Sequence, residues 1–381
     1  MSMTVLINAG PWLPVPPSGY GGIENVIATL VPELRRRGVR VVLATVGTST
    51  LAVEEQIALY EHGQFEHLLA PYNRVSGIAH AHLQRVVTAL RRRTDIDLVH
   101  DHVEVVGLST FAVAGVPTLH TTHWDLGKHR EFYANLDAGD RLWINGVSAD
   151  QLRKAPESLR ARSLGHVHLA TPLAEGADRR PLPVKDRHVV VLGRITPCKG
   201  QHVAVRVARR LGWPLVLAGP VGAYHDQESL DRALADPALL SNPDVRYWRD
   251  AIAPHVDGTR VRWIGTVSGT RLQQLLATAR AALFPIVWDE PGGTAVTESL
   301  ALGCPVVGFR RGCLPELVDH GRTGLLATAD DEDDLADQLA ASRQIDPSAC
   351  VKEAAARFSP AVMAERYLEL YNDVLMRARS H

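Results

Sequence analysis

Short, unbroken apolar runs alternate along this chain with longer stretches of helical periodicity. Thr4–Asn8 is the first such run; a Pro/Gly-rich loop, Pro11–Gly22, follows, and then a helical stretch, Ile23–Arg37, stopped by Gly38. Val39–Val46 is β-branched and apolar and reads as the next strand, ending at Gly47. The rhythm then predicts a helix over Val75–Arg93, strands at Ile96–His100, Pro117–His120 and Leu142–Val147, and a helix over Ala149–Leu159. Thr171–Arg187, rich in Pro, Ala and charge, interrupts it and reads as a linker. The pattern restarts with strands at His188–Leu192, Leu215–Ala218, Val261–Ile264, Ala281–Phe284 and Pro305–Phe309. Helices are expected at Gly200–Leu211, Thr270–Ala279, Gly293–Leu302 and Asp331–Ser342. The last stretch, Pro360–Arg379, is amphipathic, with Met363, Tyr367, Leu370, Tyr371 and Val374 on one side.

Strands that lack polar alternation are buried on both faces, as in a parallel sheet covered by helices. The expected fold class is therefore α/β, two Rossmann-like doubly wound parallel-sheet domains. The first spans 1–170, the linker 171–187 and the second 188–359, with the helix 360–379 packing back on the first. Such sheets take ligands at the carboxyl ends of their strands, so two of them face to face put one ligand in a central cleft.

Composition narrows the function. A length of 381 residues suits two domains, and 46% hydrophobic with 22% charged residues is ordinary for globular cores. Lys plus Arg number 41 against 42 Asp plus Glu, so no basic excess exists to neutralise nucleic-acid phosphates, and no nucleic acid is expected as a partner. Cys198, Cys304, Cys313 and Cys350 form no CxxC pair and read as reduced thiols in a cytoplasmic protein. The Met1-Ser-Met-Thr start has no basic n-region, and no apolar run approaches the roughly 20 residues of a transmembrane helix.

Three loops, each after an expected strand, carry candidate chemistry. Pro16-Pro-Ser-Gly-Tyr-Gly-Gly-Ile-Glu24 brings Gly21 and Gly22 to the start of a helix, where backbone N–H groups can approach a phosphate. It is not a dinucleotide fingerprint, because Glu24 replaces the third glycine and no ribose-binding acid follows the next strand. Gly193-Arg-Ile-Thr-Pro-Cys-Lys-Gly200 puts two cations, Arg194 and Lys199, on a strand-to-helix turn, an arrangement that suits a diphosphate. In Trp288-Asp-Glu-Pro-Gly-Gly-Thr-Ala-Val-Thr-Glu298, Gly292 and Gly293 open a helix, with Glu290 before it and Glu298 inside it. Two carboxylates so spaced can take hydroxyls on either side of an anion held at the helix start, as a nucleotide-sugar requires.

These loops resemble those of the retaining glycosyltransferases of family 4, which have the GT-B fold, and in particular the avilamycin-type branch. The family's Gly-Arg-x-x-Pro-x-Lys-Gly pattern matches Gly193–Gly200, its Glu-x7-Glu signature matches Glu290 and Glu298, and its Gly-Gly-x-Glu loop matches Gly21–Glu24. Ala218-Gly-Pro-Val221, Gly321-Arg-Thr-Gly-Leu325 and the C-terminal Arg357-Phe-Ser-Pro…Tyr371 extend the match over nearly the whole chain. The resemblance implies a nucleotide-sugar donor, UDP- or GDP-linked, held by the second domain, and a small-molecule or glycoside acceptor held by the first. Arg194 and Lys199 would hold the diphosphate, Glu298 the ribose and Glu290 the transferred sugar, with the amides of Gly292, Gly293 and Thr294 facing the sugar and its phosphates. Gly21 and Gly22 would approach the diphosphate from the first domain. The family's Pro-x-x-x-Thr-x-His motif falls on His123, beside His120. The chemistry implied is same-face attack with the leaving phosphate as base, without a cofactor or metal.

The chain also departs from the family pattern. Glu290-Pro-Gly-Gly-Thr294 stands where Glu-x-Phe-Gly-Leu is usual, Cys198 replaces a Glu, and the interdomain Asn-Gly-Val/Ile-Asp turn is absent. Ala223–Tyr247 reads as an insertion placed to cover the nucleotide. His100, His102, His120 and Trp124 join His123 as acceptor-side candidates; a metal site among these histidines is the competing reading. Asp330–Asp334 reads as the acidic start of a helix, and His80 and His82 as solvated helix residues. Two other functions share this fold expectation: a nucleotide-sugar epimerase or hydrolase, and a non-catalytic carbohydrate-binding protein.

Overall fold

The computed structural model describes residues 3–19, 21–236 and 239–380, with the side chain of Leu69 excepted. Met1 and Ser2 of the start, Tyr20 of the glycine loop, Pro237 and Ala238 of the insertion, and His381 lie outside the described residues. The chain divides into two compact units, 1–172 with 360–381, and 173–359.

The first unit is built on a seven-stranded parallel sheet in the order β3-β2-β1-β4-β5-β6-β7. Its strands are β1 (Thr4–Asn8), β2 (Arg40–Thr45), β3 (Glu55–Ala58), β4 (Leu98–Asp101), β5 (Thr118–Thr121), β6 (Leu142–Gly146) and β7 (Ser163–His166). The central strands β1, β4, β5 and β6 are buried along their whole length, which is why they announce themselves as apolar runs. The two edges, β3 and β7, are half exposed and polar and carry no such signal. Helix Pro360–Arg379 belongs to this unit and buries Met363, Tyr367, Tyr371 and Val374 in the cluster that also holds Ile27, Leu30 and Leu34 of helix Gly22–Arg36. The helix expected over 149–159 is two, Ala149–Arg153 and Glu157–Arg160, broken at Pro156.

The second unit repeats the design with six parallel strands in the order β10-β9-β8-β11-β12-β13. These are β8 (Val189–Leu192), β9 (Leu215–Ala218), β10 (Val261–Trp263), β11 (Ala281–Phe284), β12 (Val306–Phe309) and β13 (Gly324–Ala327). Its core takes Val189–Val191, Leu215–Leu217, Ala281–Phe284 and Val306–Val307 from the strands and Val203, Val207, Leu300 and Leu339 from the helices. The stretch expected to be a linker is structured: 3-10 turns at Pro172–Ala174 and Ala177–Arg179 bury Ala174 and Ala177 in the second unit. No helix among the described residues is long and apolar enough to cross a membrane.

Each sheet reverses its strand order once, between β1 and β4 in the first unit and between β8 and β11 in the second. Loops leaving the carboxyl ends of the two strands at such a point diverge to opposite faces and leave a crevice. This topology, more than any single motif, decides which loops meet.

Candidate functional site

In the second unit the crevice is flanked by the loops after β8 and β11. These strands pair directly, Val189 with Ala281 and Val190 with Ala282. Residues 91 apart in sequence therefore meet: the Lys199 ammonium forms an ion pair with the Glu290 carboxylate. Trp288 Nε1 donates to the same Glu290 oxygen at 3.1 Å, and the Val287 N–H donates to the Cys198 carbonyl at 3.0 Å, closing one loop on the other. Gly200 makes the approach possible. It is left-handed at φ 70, and a Cβ there would sit 1.9 Å from the Pro285 carbonyl oxygen. Gly200→Ala should cost about 2 kcal/mol or more and lower the urea midpoint, because the new methyl meets backbone that cannot turn away. An unchanged midpoint would show that the two loops are free to separate.

The Glu290 backbone is held from its other side, the Cys313 N–H donating to its carbonyl at 2.9 Å. Gly312 allows this, since a Cβ on it would lie 2.4 Å from the Glu290 nitrogen. Gly292 leads into Gly293, which is left-handed at φ 67 and precedes the helix Thr294–Ala301, whose N-terminus has no side-chain cap. Its first N–H groups, that of Thr294 among them, are thus available to an anion. Glu298, one turn in, is partly buried, and no described residue hydrogen-bonds its carboxylate; loss of water alone pushes its pKa up to about 7. Arg194 is about half exposed and lies 3.9 Å from Asp244. Lys199, Glu290, Gly292, Gly293, Thr294 and Glu298 thus line one end of the sheet, with Arg194 beside them and paired to the insertion.

That insertion is fastened to its own unit. Helix Gln227–Ala235 is capped by Asp226, helix Pro243–Tyr247 by Asn242, and Trp248 packs on Trp263 at 4.8 Å. Tyr247 accepts from the His202 N–H at 2.9 Å. Asp331 caps helix Glu332–Ala341 by accepting from the Asp333 and Asp334 N–H groups, so the acidic run serves its helix.

In the first unit, Gly21 precedes helix Gly22–Arg36, one residue earlier than the sequence suggests. A Cβ on Gly21 would fall 2.6 Å from the Pro17 ring, whereas Gly22 faces open space. Glu24, in the first turn, is buried and its pKa rises to about 7 through desolvation. A protonated Glu24 leaves this uncapped helix end free of negative charge.

The histidines at the ends of β4 and β5 separate onto the two faces of the sheet, as the two-residue period of a strand demands. On one face His100 lies between Tyr371 (2.7 Å from Nδ1) and Thr121 (2.7 Å from Nε2). The Thr121 hydroxyl donates to Asn145, so it accepts from His100, which leaves His100 Nδ1 to accept from Tyr371. His102 lies tilted against this ring, 4.1 Å between centroids, and pairs through Nδ1 with Nε2 of His123 at 2.8 Å. Burial, with the neighbouring His120, brings His123 down to about 3, so its imidazole is neutral.

On the other face Asp101 accepts from Asn8 at 2.7 Å and from His120 Nδ1 at 2.5 Å. Asn8 in turn accepts from His82 Nε2 at 2.7 Å. The expectation of a solvated His82 is therefore wrong. The residue is buried at 1% exposure and its pKa falls to about 4, because its helix turns it toward the sheet; His80 is exposed as expected. The chain from His82 to His120 holds the His120 ring with Nδ1 toward Asp101, and its buried Nε2 meets no described residue. Trp124 lies edge-on to the His120 ring at 5.7 Å and donates to Tyr133. The pairing of Asp101 with His120 went unread in the sequence, although strand alternation already sets Asp101 on the face opposite His100 and His102.

Two family models match the chain in order, "Glycosyltransferase Family 4" over residues 20–156 and "Glycosyl transferases group 1" over 176–342. A D-inositol 3-phosphate glycosyltransferase of Saccharomonospora viridis is 28% identical over 409 aligned residues, covering 94% of this chain and 90% of the relative. One of the same name from Mycolicibacterium smegmatis is 26% identical, covering 97% and 80%. Among solved structures, AviGT4, a glycosyltransferase involved in avilamycin A biosynthesis, has a TM-score of 0.64 at 24% identity over 98% of both chains. Anabaena HepE in complex with UDP-glucose has a TM-score of 0.63 at 16% identity, covering 97% of this chain and all of that one. Both units thus have the GT-B pattern of these neighbours, one family match falls within each unit, and the chain carries the paired domains of the family 4 and group 1 glycosyltransferases, as an enzyme of the hexosyltransferase type.

Proposed function

We propose that this enzyme moves a sugar, with retention, from a UDP- or GDP-sugar to a hydroxyl of a small-molecule or glycoside acceptor. The observation that carries the reading is the company Glu298 keeps. A desolvated carboxylate that no described residue hydrogen-bonds lies one turn inside an uncapped helix N-terminus, and Glu290 of the loop leading into that helix is ion-paired with Lys199. Anion, cation and hydroxyl acceptor are the three recognition elements a nucleoside diphosphate-sugar needs. In this reading the helix N-terminus, Lys199 and Arg194 hold the diphosphate and Glu298 takes the ribose hydroxyls. Glu290 exchanges part of its contact with Lys199 for the transferred sugar. Gly21 and Gly22 of the first unit open a helix whose backbone N–H groups suit a phosphate.

The acceptor hydroxyl attacks the anomeric carbon on the face the diphosphate leaves. The new bond joins acceptor oxygen to that carbon, the carbon–oxygen bond to phosphate breaks, and the hydroxyl proton passes to the departing phosphate oxygen. Stabilising the charge on the leaving diphosphate is then the main catalytic device, which Lys199 and Arg194 supply without a divalent cation. His123, neutral, orients a hydroxyl, with His102 behind it; His100, His120 and Trp124 complete the acceptor side. The names of the sequence relatives favour a polyol or polyol-phosphate acceptor.

A thermal-shift series with UDP, GDP, ADP, dTDP and NAD, each with and without magnesium, tests the donor class. One nucleoside diphosphate at about 100 times its Kd should stabilise the fold by about 2.7 kcal/mol. Transfer from the matching sugar donor, with the product's anomeric configuration read by NMR, then tests retention. A shift with NAD alone, or an inverted product, would end this reading.

A further inference from the structure

At the opposite end of the second unit's sheet, where β8, β9 and β11 begin, three arginines surround a tryptophan. Arg187, Leu211, Trp213, Pro214, Arg280 and Arg343 line a concavity of about 410 Å³. Pro214 and Arg280 immediately precede β9 and β11, and Arg187 lies two residues before β8. The donor loops leave the other ends of these same strands, each four residues long, so roughly 10 Å or more of sheet separates the two places.

The arginines are unspent. None of the three forms an ion pair or a side-chain hydrogen bond with any described residue. The nearby acids are engaged elsewhere: Asp186 faces His188 at 3.6 Å, and Asp346 caps its own helix through Ser348. The guanidinium of Arg343 lies 4.8 Å above the Trp213 ring. Three helices, Gln201–Leu211, Gly269–Thr278 and Glu332–Ala341, end nearby, and cations near helix C-termini are ordinarily read as answering the dipole. That accounts for only part of the charge. Three helix ends bring roughly −1.5 charges in total against three full positive ones. The last turn of the first helix also carries its own Arg209 and Arg210, which are paired with His255 and Asp333.

Each guanidinium holds five N–H donors in a planar fork that fits phosphate oxygens two at a time. The Trp213 face, Pro214 and Leu211 add a flat apolar wall, and the volume falls within the roughly 300–1,000 Å³ of small-molecule sites. We propose that this concavity binds a small phosphorylated molecule carrying a planar or apolar ring, at a site separate from the donor loops and independent of the transfer reading. The phosphate spans Arg187 and Arg280, and the ring lies along Trp213 beside the Arg343 guanidinium.

Isothermal titration with phenyl phosphate as the probe tests this, against wild type, an Arg280→Ala/Arg343→Ala double variant, and Lys199→Ala, in which the donor loop is disabled. The arginines are on the surface, and a circular-dichroism melt confirms that the double variant folds. One saturable site is expected, weakened about tenfold or more in the double variant and unchanged in Lys199→Ala. Phenol should not bind, and inorganic phosphate should bind more weakly than the probe. Equal affinity in wild type and the double variant overturns the site, as does the absence of saturation below about 10 mM. A third arm uses phosphatidylglycerol/phosphatidylcholine vesicles: sedimentation of wild type but not of the double variant, without phenyl phosphate binding, would replace the small ligand with a membrane surface.

Discussion

Lys199→Ala is expected to lower kcat/KM for the sugar donor by about two to three orders of magnitude, roughly 3–4 kcal/mol of transition-state stabilisation. The lysine sits at a strand-to-helix turn with its ammonium on Glu290 and no other ion pair among the described residues. Its charge matters most when the diphosphate leaves, so the loss should fall on kcat at least as heavily as on KM. The pairing adds a second expectation. Removing Lys199 strands the partly buried Glu290 carboxylate, whereas Lys199→Ala/Glu290→Gln removes both charges. The double variant should therefore lose less activity than the sum of the single variants, by about 1 kcal/mol or more of coupling. Steady-state kinetics on the four proteins decide it. Strict additivity would mean that the ion pair does not bear on transfer, and near-wild-type rates for Lys199→Ala would remove the residue from the site.

Glu298→Gln should separate stability from function. Desolvation raises this carboxyl from 4.5 to about 7 in the folded protein. Between those values the folded state binds more protons than the unfolded chain, so the stability associated with this group is present below about pH 4.5 and is lost as the pH rises to about 7. Above pH 7 the folded protein carries an ionised, poorly solvated carboxylate. An amide of the same shape removes that penalty, and the variant should be more stable than wild type by about 1–3 kcal/mol at pH 8, but not at pH 4.5. The same substitution should weaken nucleoside-diphosphate binding about tenfold or more, because an amide is a poorer acceptor for two ribose hydroxyls. Urea denaturation at the two pH values and titration with the nucleotide provide both readings. Lower stability at pH 8 would show that Glu298 has a structural partner. Unchanged nucleotide affinity would move the ribose elsewhere.

Glu24 is raised to about 7 for the same reason and adds to the pH dependence of wild type in the same direction. Wild type should therefore decline in stability between pH 4.5 and 7 by more than one group alone explains, and Glu298→Gln should remove only part of that decline.

Much of this architecture was legible in the chain itself. Fully buried parallel strands such as Val189–Leu192 and Ala281–Phe284 leave no polar alternation, and their apolar runs mark them without a partner in view. The loops carrying Arg194, Lys199, Glu290 and Glu298 were visible because glycines and charges at a strand end have few other uses. Exposure hid β3 and β7: Glu55–Ala58 and Ser163–His166 gain their strand conformation from hydrogen bonds to a neighbour, not from their own side chains. What only the tertiary structure decided is which distant groups meet. Sequence spacing does not say that β8 lies beside β11, and hence that Lys199 rests on Glu290. Nor does it say that His82 turns inward to Asn8 while His80 stays in water. Local conformation follows from side-chain sterics and hydrophobic period, which are written residue by residue. Pairing between remote loops follows from strand order, which is settled only when both faces of the sheet are covered at once.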